Sequence, residues 1–259
     1  MHDPATGNWI GLWTLYSREI RRFAKVYTQT VLAPVVTTLL FLAVFTLALG
    51  TGHRAVAGMP FIEFLAPGLI IMAIAQNAFA NTSSSLMIAK VQGNIVDTLM
   101  PPLTAGELTV GMAMGGVTRG VLVGCVVALG LSLFVPMGLH NLAVVIYFGV
   151  MGALMLSLLG LLGAMWAEKF DQISAVTNFI ITPLAFLSGT FYSIERLPPT
   201  AQLIAHFNPF FYMIDGFRSG LTGHADANTW LGVAVMAGVN AALWALCTRL
   251  FASGYKLKP

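Results

Sequence analysis

Formal charge is scarce in this chain: Asp, Glu, Lys and Arg together supply 9% of its 259 residues, while hydrophobic residues supply 57%. A soluble domain carries charge on roughly a quarter of its residues, so this composition excludes one and points to a polytopic membrane protein. Cysteine is almost missing. Cys125 and Cys247 lie inside apolar runs, where a lone thiol acts as a small packing residue, and no disulfide framework is expected. The dipeptide Gly-Lys does not occur, which removes the GxxxxGK(S/T) phosphate loop and with it the usual nucleotide cradle. A GxSxG elbow and an HExxH pair are also lacking. The histidines His2, His53, His140, His206 and His224 are too dispersed for a metal site, whose ligands cluster. Basic residues flank hydrophobic runs instead of forming a patch, and the net charge is only +3, so no nucleic-acid partner is expected. No short apolar segment with a small-residue cleavage site precedes the first long run near Val26, so no cleavable signal is expected.

What fills the chain is apolar runs of hydrocarbon length. Roughly 20 such residues cross a bilayer core, and on that measure an all-α fold is expected with spans at about 28–50, 64–88, 108–135, 142–166, 173–192 and 229–251. From Gly120 to Ala167 there is no charged residue, and a break at Pro136 to Asn141 divides that run into the third and fourth spans. The second span is unusually polar in its later half, with Gln76, Asn77, Asn81, Thr82, Ser83, Ser84 and Ser85. Ahead of the spans, residues about 9–27 put Trp9, Leu12, Trp13, Tyr16, Ile20, Phe23 and Tyr27 on one helical stripe, with Arg18, Arg21, Arg22 and Lys25 opposite. That is the pattern of an amphipathic helix lying in the membrane interface beside anionic head groups.

The stretch 193–228 is poor in charge but is interrupted by Pro198, Pro199, His206 and Asn208-Pro209, so it is not expected to span. Six spans leave both termini cytoplasmic. Arg18, Arg21, Arg22, Lys25, Lys90, Lys169, Arg249, Lys256 and Lys258 then lie inside and Arg54, Arg196 and Arg218 outside, which obeys the positive-inside rule. Asn208 suits an N-cap and Pro209 a first helical residue, so a short helix is expected from 209 to about 221, ending at Gly223. Phe210, Met213, Ile214, Phe217 and Leu221 share one of its faces, and the whole segment reads as a re-entrant outer hairpin that dips into the outer leaflet or caps the bundle. Arg119 is the one formal charge inside a span. It sits about one turn within the boundary, where it can snorkel; a place in a polar path or a conformational lock is the other reading.

The connection 89–107, AKVQGNIVDTLMPPLTAGE, is the longest polar one on the inner side. Ile88, Val91, Ile95 and Leu99 share a helical face that Gly93 can bend. Thr104 to Glu107 is a capping-box sequence that starts the third helix, and Gly111, Gly115, Gly116, Gly120 and Gly124 then allow close helix approach, within a subunit or between two. The acids Glu63, Asp97, Glu107, Glu168, Asp171, Glu195, Asp215 and Asp226 fall at span ends or in loops. That leaves no proton relay and argues against the alternative class, a secondary transporter that needs no ATPase. An intramembrane enzyme would need a nucleophile and a base at one depth, and none is apparent.

Two segments carry a resemblance. One is Phe64 to Gly124, with FLAPGLI, KVQGNIVDTLMPPLTAGEL and GMAMGGVTRG; the other is Pro183 to Gly223, with PLAFLSGTFYSIERLPP and NPFFYMIDGFRSGLTG. In order and spacing the chain resembles the type-2 ABC-transporter permease family, the membrane subunits of bacterial ABC exporters. Relatives often carry Gly-Thr-hydrophobic-Glu where this chain has Asn94-Ile95-Val96-Asp97. The resemblance implies an inner-membrane homodimer, or paired permeases, joined to separate ATPase subunits that hold the ATP and magnesium, with no cofactor in this chain. It implies a coupling element at Ile88, Val91, Gly93, Ile95, Asp97, Leu99 and Pro101, and a second, smaller contact at Glu168, Lys169 and Asp171. The expected path is lined by Thr37, Thr38, Gln76, Asn77, Asn81, Ser84 and Ser188, under an outer lid that includes Pro198, Asn208, Pro209, Tyr212, Phe217 and Arg218. A lipid-linked, glycan or amphipathic small molecule is the expected substrate.

Overall fold

The computed structural model describes residues 8–49, 55–56, 58–194 and 198–256. His2, His53, Arg54, Glu195, Arg196 and Lys258 lie outside the described residues. Helix α1 is Trp9–Ala24, and a π-helical turn, Thr28–Leu32, leads into α2, Ala33–Leu49. The two-residue strands β1, Ala55–Val56, and β2, Met59–Pro60, pair antiparallel ahead of α3, Phe61–Val91. Then come α4 (Ile95–Leu99), α5 (Ala105–Ser132), α6 (Leu142–Trp166) and α7 (Phe170–Val176). A second π turn, Thr177–Ile181, joins α7 to α8 (Thr182–Leu187), and α9 (Pro199–His206), α10 (Pro209–Thr222) and α11 (Thr229–Ser253) follow. Among the described residues, six helical stretches are long and apolar enough to cross a membrane: Thr28–Leu47, Phe61–Val91, Ala105–Ser132, Leu142–Trp166, Phe170–Leu187 and Thr229–Ser253. The protein is a polytopic all-α membrane protein.

Helix α3 is the axis. In its most apolar stretch 78% of residues are buried, against 17% for the first span and 11% for the fifth. Glycines let α5 and α6 reach it. A Cβ at Gly120 would stand 2.7 Å from the Ile74 carbonyl, and one at Gly160 2.7 Å from the Phe79 carbonyl, so both helices meet α3 at backbone distance. Thr82 then donates to the Ser157 carbonyl at 2.8 Å. Between helices in lipid no hydrophobic force remains, and such close packing supplies the attraction instead. Gly111 and Gly115 of the same series face Leu15 and Glu19 of α1, so Gly111, Gly115, Gly116, Gly120 and Gly124 all meet side chains or backbone of their own chain.

Local signals set the ends. Thr104 and Glu107 form a reciprocal capping box at the start of α5. Asn208 caps α10, which ends on Gly223 at φ 78°, a left-handed position suited to glycine. Two differences from the expected outer segment stand out. Helix α9 starts at Pro199, right behind Pro198, a proline placement that favours a helix start where a mere interruption was expected. Helix α10 is buried on all sides from Phe210 to Gly220, not along one face. Its glycines explain this: Gly216 admits the Phe148 ring, and a Cβ at Gly220 would stand 2.8 Å from the Val145 nitrogen.

Each π turn precedes a proline, Pro34 in one case and Pro183 in the other. A proline inside a helix has no N–H to donate and clashes with the carbonyl four residues back, and a widened turn relieves both problems. The two least buried spans therefore carry the two irregular turns.

Candidate functional site

The sealed surface of α3 has one polar opening. Gln76 is exposed although its neighbours Ala73, Ile74, Ala75, Asn77 and Ala78 are all buried. It lines two adjoining hollows. One, of about 300 Å³, is bounded by Gln29, Thr37 and Thr38 of the first span, by Asn77, and by Phe186 and Phe191. The other, of about 420 Å³, is bounded by Ser83 and Ser84 of α3 and by Thr177, Asn178 and Ile181 of the second π turn. Thr37, Thr38, Gln76, Asn77 and Ser84 are thus gathered along one side of α3. Asn81 and Ser188 are fully buried and line neither hollow. Ser188 donates to the Leu184 carbonyl and accepts from Asn208 Nδ2 at 2.7 Å, which ties the fifth span to the α9–α10 segment.

At the end of the bundle that carries α4, charged side chains join the elements. Glu19, on α1, is 1% exposed. Its Oε1 accepts from Ser85 Oγ at 2.8 Å and Arg18 at 3.4 Å, and its Oε2 accepts from Arg22 at 3.2 Å. Arg22 also donates to the Asn81 carbonyl at 2.7 Å, to Asn81 Oδ1 at 2.9 Å and to Ser84 at 3.1 Å. Arg18 reaches Thr98 of α4 at 3.1 Å. The docked face of α1 therefore runs through Leu15, Glu19, Arg22 and Phe23, with Trp9, Ile10 and Trp13 left exposed. That is a rotation from the expected division, because an acid within the basic face makes that face adhesive. Arg119 donates to Asn77 Oδ1 at 3.3 Å while its Nε is buried without a partner.

The connection after α3 turns at Gly93, φ 73°. Ile95 and Thr98 point into the protein; Val91, Val96, Asp97, Met100 and Pro101 are exposed, and Ile88 and Leu99 lie half-buried. Lys90 then links this connection to the next one. It donates to the carbonyls of Ala164, Met165 and Ala167 at 3.0, 2.9 and 2.5 Å, capping the last turn of α6, where a cation meets the negative end of the helix dipole. Beyond it Glu168, Lys169 and Asp171 are exposed, and Gln172 accepts from the Glu168 nitrogen at 2.6 Å. Lys256 pairs with Glu168 at 3.0 Å, and that hydrogen bond holds the carboxyl below the usual range.

At the opposite end, Arg218 is 1% exposed, stacks 3.8 Å from the Phe64 ring centroid and donates to the Gly189 carbonyl at 2.5 Å. Asp215 accepts from the Asp226 and Ala227 nitrogens at 2.9 and 3.0 Å. Tyr212 and Phe217 are buried beside them, Asn208 and Pro209 are half-buried, and Pro198 is exposed.

The sequence model described as "ABC-2 type transporter" matches residues 11–222, most of the chain. The chain belongs to the ABC-2 type transporter family. It is similar to the inner membrane transport permease YadH of Escherichia coli (strain K12), with 37% identity over 250 residues, 96% of this chain and 98% of that one. It is also similar to nodulation protein J of Rhizobium leguminosarum bv. viciae, with 27% identity over 238 residues and 90% of each chain. Nodulation protein J of Rhizobium meliloti (strain 1021) is 26% identical over 227 residues, 85% of this chain and 84% of that one. Within this ABC-2 type membrane transporter, the polar side of α3, the α4 connection and the 167–172 turn hold the exposed polar groups described above. Two residues that tie these regions together, Glu19 on α1 and Lys90 at the end of α3, were given no role from sequence beyond the place of Lys90 among the inner cations. Glu19 had a signal, as the acid among arginines one residue before it and three after it.

Proposed function

We propose that this ABC-2 type protein is the permease subunit of an ATP-driven exporter in a bacterial inner membrane, with both termini cytoplasmic. Gln76 carries the reading. A polar side chain left open at membrane depth is costly unless it faces water or a partner, and this one joins two hollows beside the two least buried spans. A second copy against the first and fifth spans would close those hollows into a path for a lipid-linked, glycan or amphipathic small molecule.

Energy would come from a separate ATPase that binds ATP and magnesium. Val91, Val96 and Met100 around Asp97 make an exposed apolar knob for it, and Glu168, Lys169 and Asp171 make a smaller charged contact. Because Lys90 joins the two, a push on either would move the ends of α3 and α6 together. The test is copurification with the neighbouring ATPase and transport-coupled hydrolysis in liposomes. Asp97→Lys is expected to leave the spans inserted and abolish coupling; normal export by that variant would make the loop a mere connector. Transport without any ATPase would overturn the exporter reading.

A further inference from the structure

Arg119 is a charged residue that neither the path nor the coupling contacts have used. It stands on α5 within the third span, next to Gly120, where α5 meets Ile74 and Ala78 of α3, so Asn77 lies at its own level in the bundle. The guanidinium reaches across to Asn77 Oδ1 at 3.3 Å instead of turning back toward the α4 end for water. Its Nε is buried without a partner, and it forms no ion pair among the described residues. The charge that acts on it is Arg22, of the same sign, and Glu19 is already shared by Arg18 and Arg22. A cation left without a counter-charge at membrane depth is costly and makes the potential around it positive.

We propose that the path takes amphipathic molecules that carry a negatively charged group, such as a phosphate, carboxylate or sulfate, and that Arg119 selects them. The inference rests on the path reading of Gln76 and narrows its substrate class. Asn77, which accepts from Arg119, lines the hollow of about 300 Å³, and Ser84, which accepts from Arg22 at 3.1 Å, lines that of about 420 Å³. Each hollow thus has an arginine one hydrogen bond behind its wall. Among the described lining residues there is no Asp, Glu, Lys or Arg, so no charge on the wall itself cancels that field. Protein and lipid screen the two guanidinium groups less than water would, so they act across the width of a single side chain. Phe41, Phe186 and Phe191 border the first hollow beside its amides and suit the apolar part of such a molecule.

The test reads charge preference at Gln76→Cys, in the full-length protein with Cys125→Ser and Cys247→Ala, held in phosphatidylcholine nanodiscs. Its labelling rate is compared for neutral methyl, anionic ethylsulfonate and cationic ethyltrimethylammonium methanethiosulfonates. Divided by the same ratio for a free thiol, the anionic-to-cationic rate ratio is expected to be about ten or more, since clefts of one sign raise counter-ion levels by that order. Arg119→Gln should remove most of this preference with the neutral rate unchanged, and Arg119→Lys should keep it. Dodecyl phosphate should protect the cysteine from the neutral reagent at about ten-fold lower concentration than dodecyltrimethylammonium, and Arg119→Gln should abolish that difference. A ratio near one in the parent, which requires no Arg119 variant to fold, would overturn the proposal, as would an unchanged ratio in Arg119→Gln. Equal protection by inorganic phosphate would reassign the site to a small free anion. A cysteine that even the neutral reagent cannot reach would overturn the path reading and the proposal with it, whereas a reachable cysteine without charge preference overturns the proposal alone.

Discussion

The two ends of the bundle are held by arginines in different ways. At the α4 end Arg22 meets side chains, Glu19, Asn81 and Ser84, along with one backbone carbonyl. At the α10 end Arg218 meets a backbone carbonyl and an aromatic face, and Asp215 meets backbone N–H groups. A side-chain pair can be weakened by rotating one side chain. A bond to backbone yields only if the loop itself moves. Under the proposed function, the α4 end would yield to a force on α4, while the α10 end would hold two loops in place until α10 moves.

The largest effect should come from Arg218→Ala. It removes a fully buried guanidinium, leaves the Gly189 carbonyl without its donor and opens a cavity beside Phe64, at a cost of about 4 kcal/mol. The thermal midpoint of the purified protein would show it, and Arg218→Lys should recover only part, since an ammonium cannot stack and donate in the same plane. A drop no larger than that of an exposed residue would remove the distinction between the ends.

Glu19→Gln should come next, at about 2 kcal/mol, because Arg22 is 28% exposed and solvent relieves part of the loss. A double-mutant cycle sharpens the contrast. Glu19→Gln with Arg22→Gln should be less destabilised than the sum of the single changes, and Arg218→Met with Asp215→Asn should show a smaller coupling, since those two charges attract but each makes its hydrogen bonds with backbone. Smaller still is Thr98→Val, which keeps the shape of a 4% exposed side chain and removes the acceptor of Arg18, for about 1 kcal/mol. Its readout is the ratio of transport to ATP hydrolysis, which should fall more than the stability does.

Much of this was legible in the sequence. The spans follow from charge-free runs, and the ends of α5 and α10 follow from Thr104, Glu107, Asn208, Pro209 and Gly223, because capping is a local matter settled within a few residues. The docked face of α1 was less so: a helical wheel weighs apolar stripes, and the interaction that turned this helix is a buried carboxylate meeting Ser85, 66 positions away. The π turns had a local sign in Pro34 and Pro183, but only the packing shows that they border the hollows. Burial of α10 on every side depends on Gly216 and Gly220 meeting α6, a contact that no single-helix pattern contains.

The smallest effect tests whether burial, not charge pairing as such, underlies the contrast. Glu168 and Lys256 form an ion pair at 3.0 Å with both side chains largely in solvent, 66% and 38% exposed. Their hydrogen bond lowers the Glu168 carboxyl and raises the Lys256 ammonium from their ordinary values. The carboxyl contribution is then present above its unfolded value, about 4.3, and lost as pH falls through the folded one. The ammonium contribution is present below its unfolded value, about 10.4, and lost as pH rises through the folded one. Between about pH 5 and pH 9 neither group titrates, so any effect of the pair is constant there, and water and salt screen it. Glu168→Gln should leave the thermal midpoint within error of the parent throughout that range. The 167–169 turn would remain fastened by Lys90, whose three carbonyl acceptors belong to the helix end and not to Glu168. If Glu168→Gln instead matched Glu19→Gln, exposed and buried pairs would count alike, and the reasoning that ranks the two ends would fail.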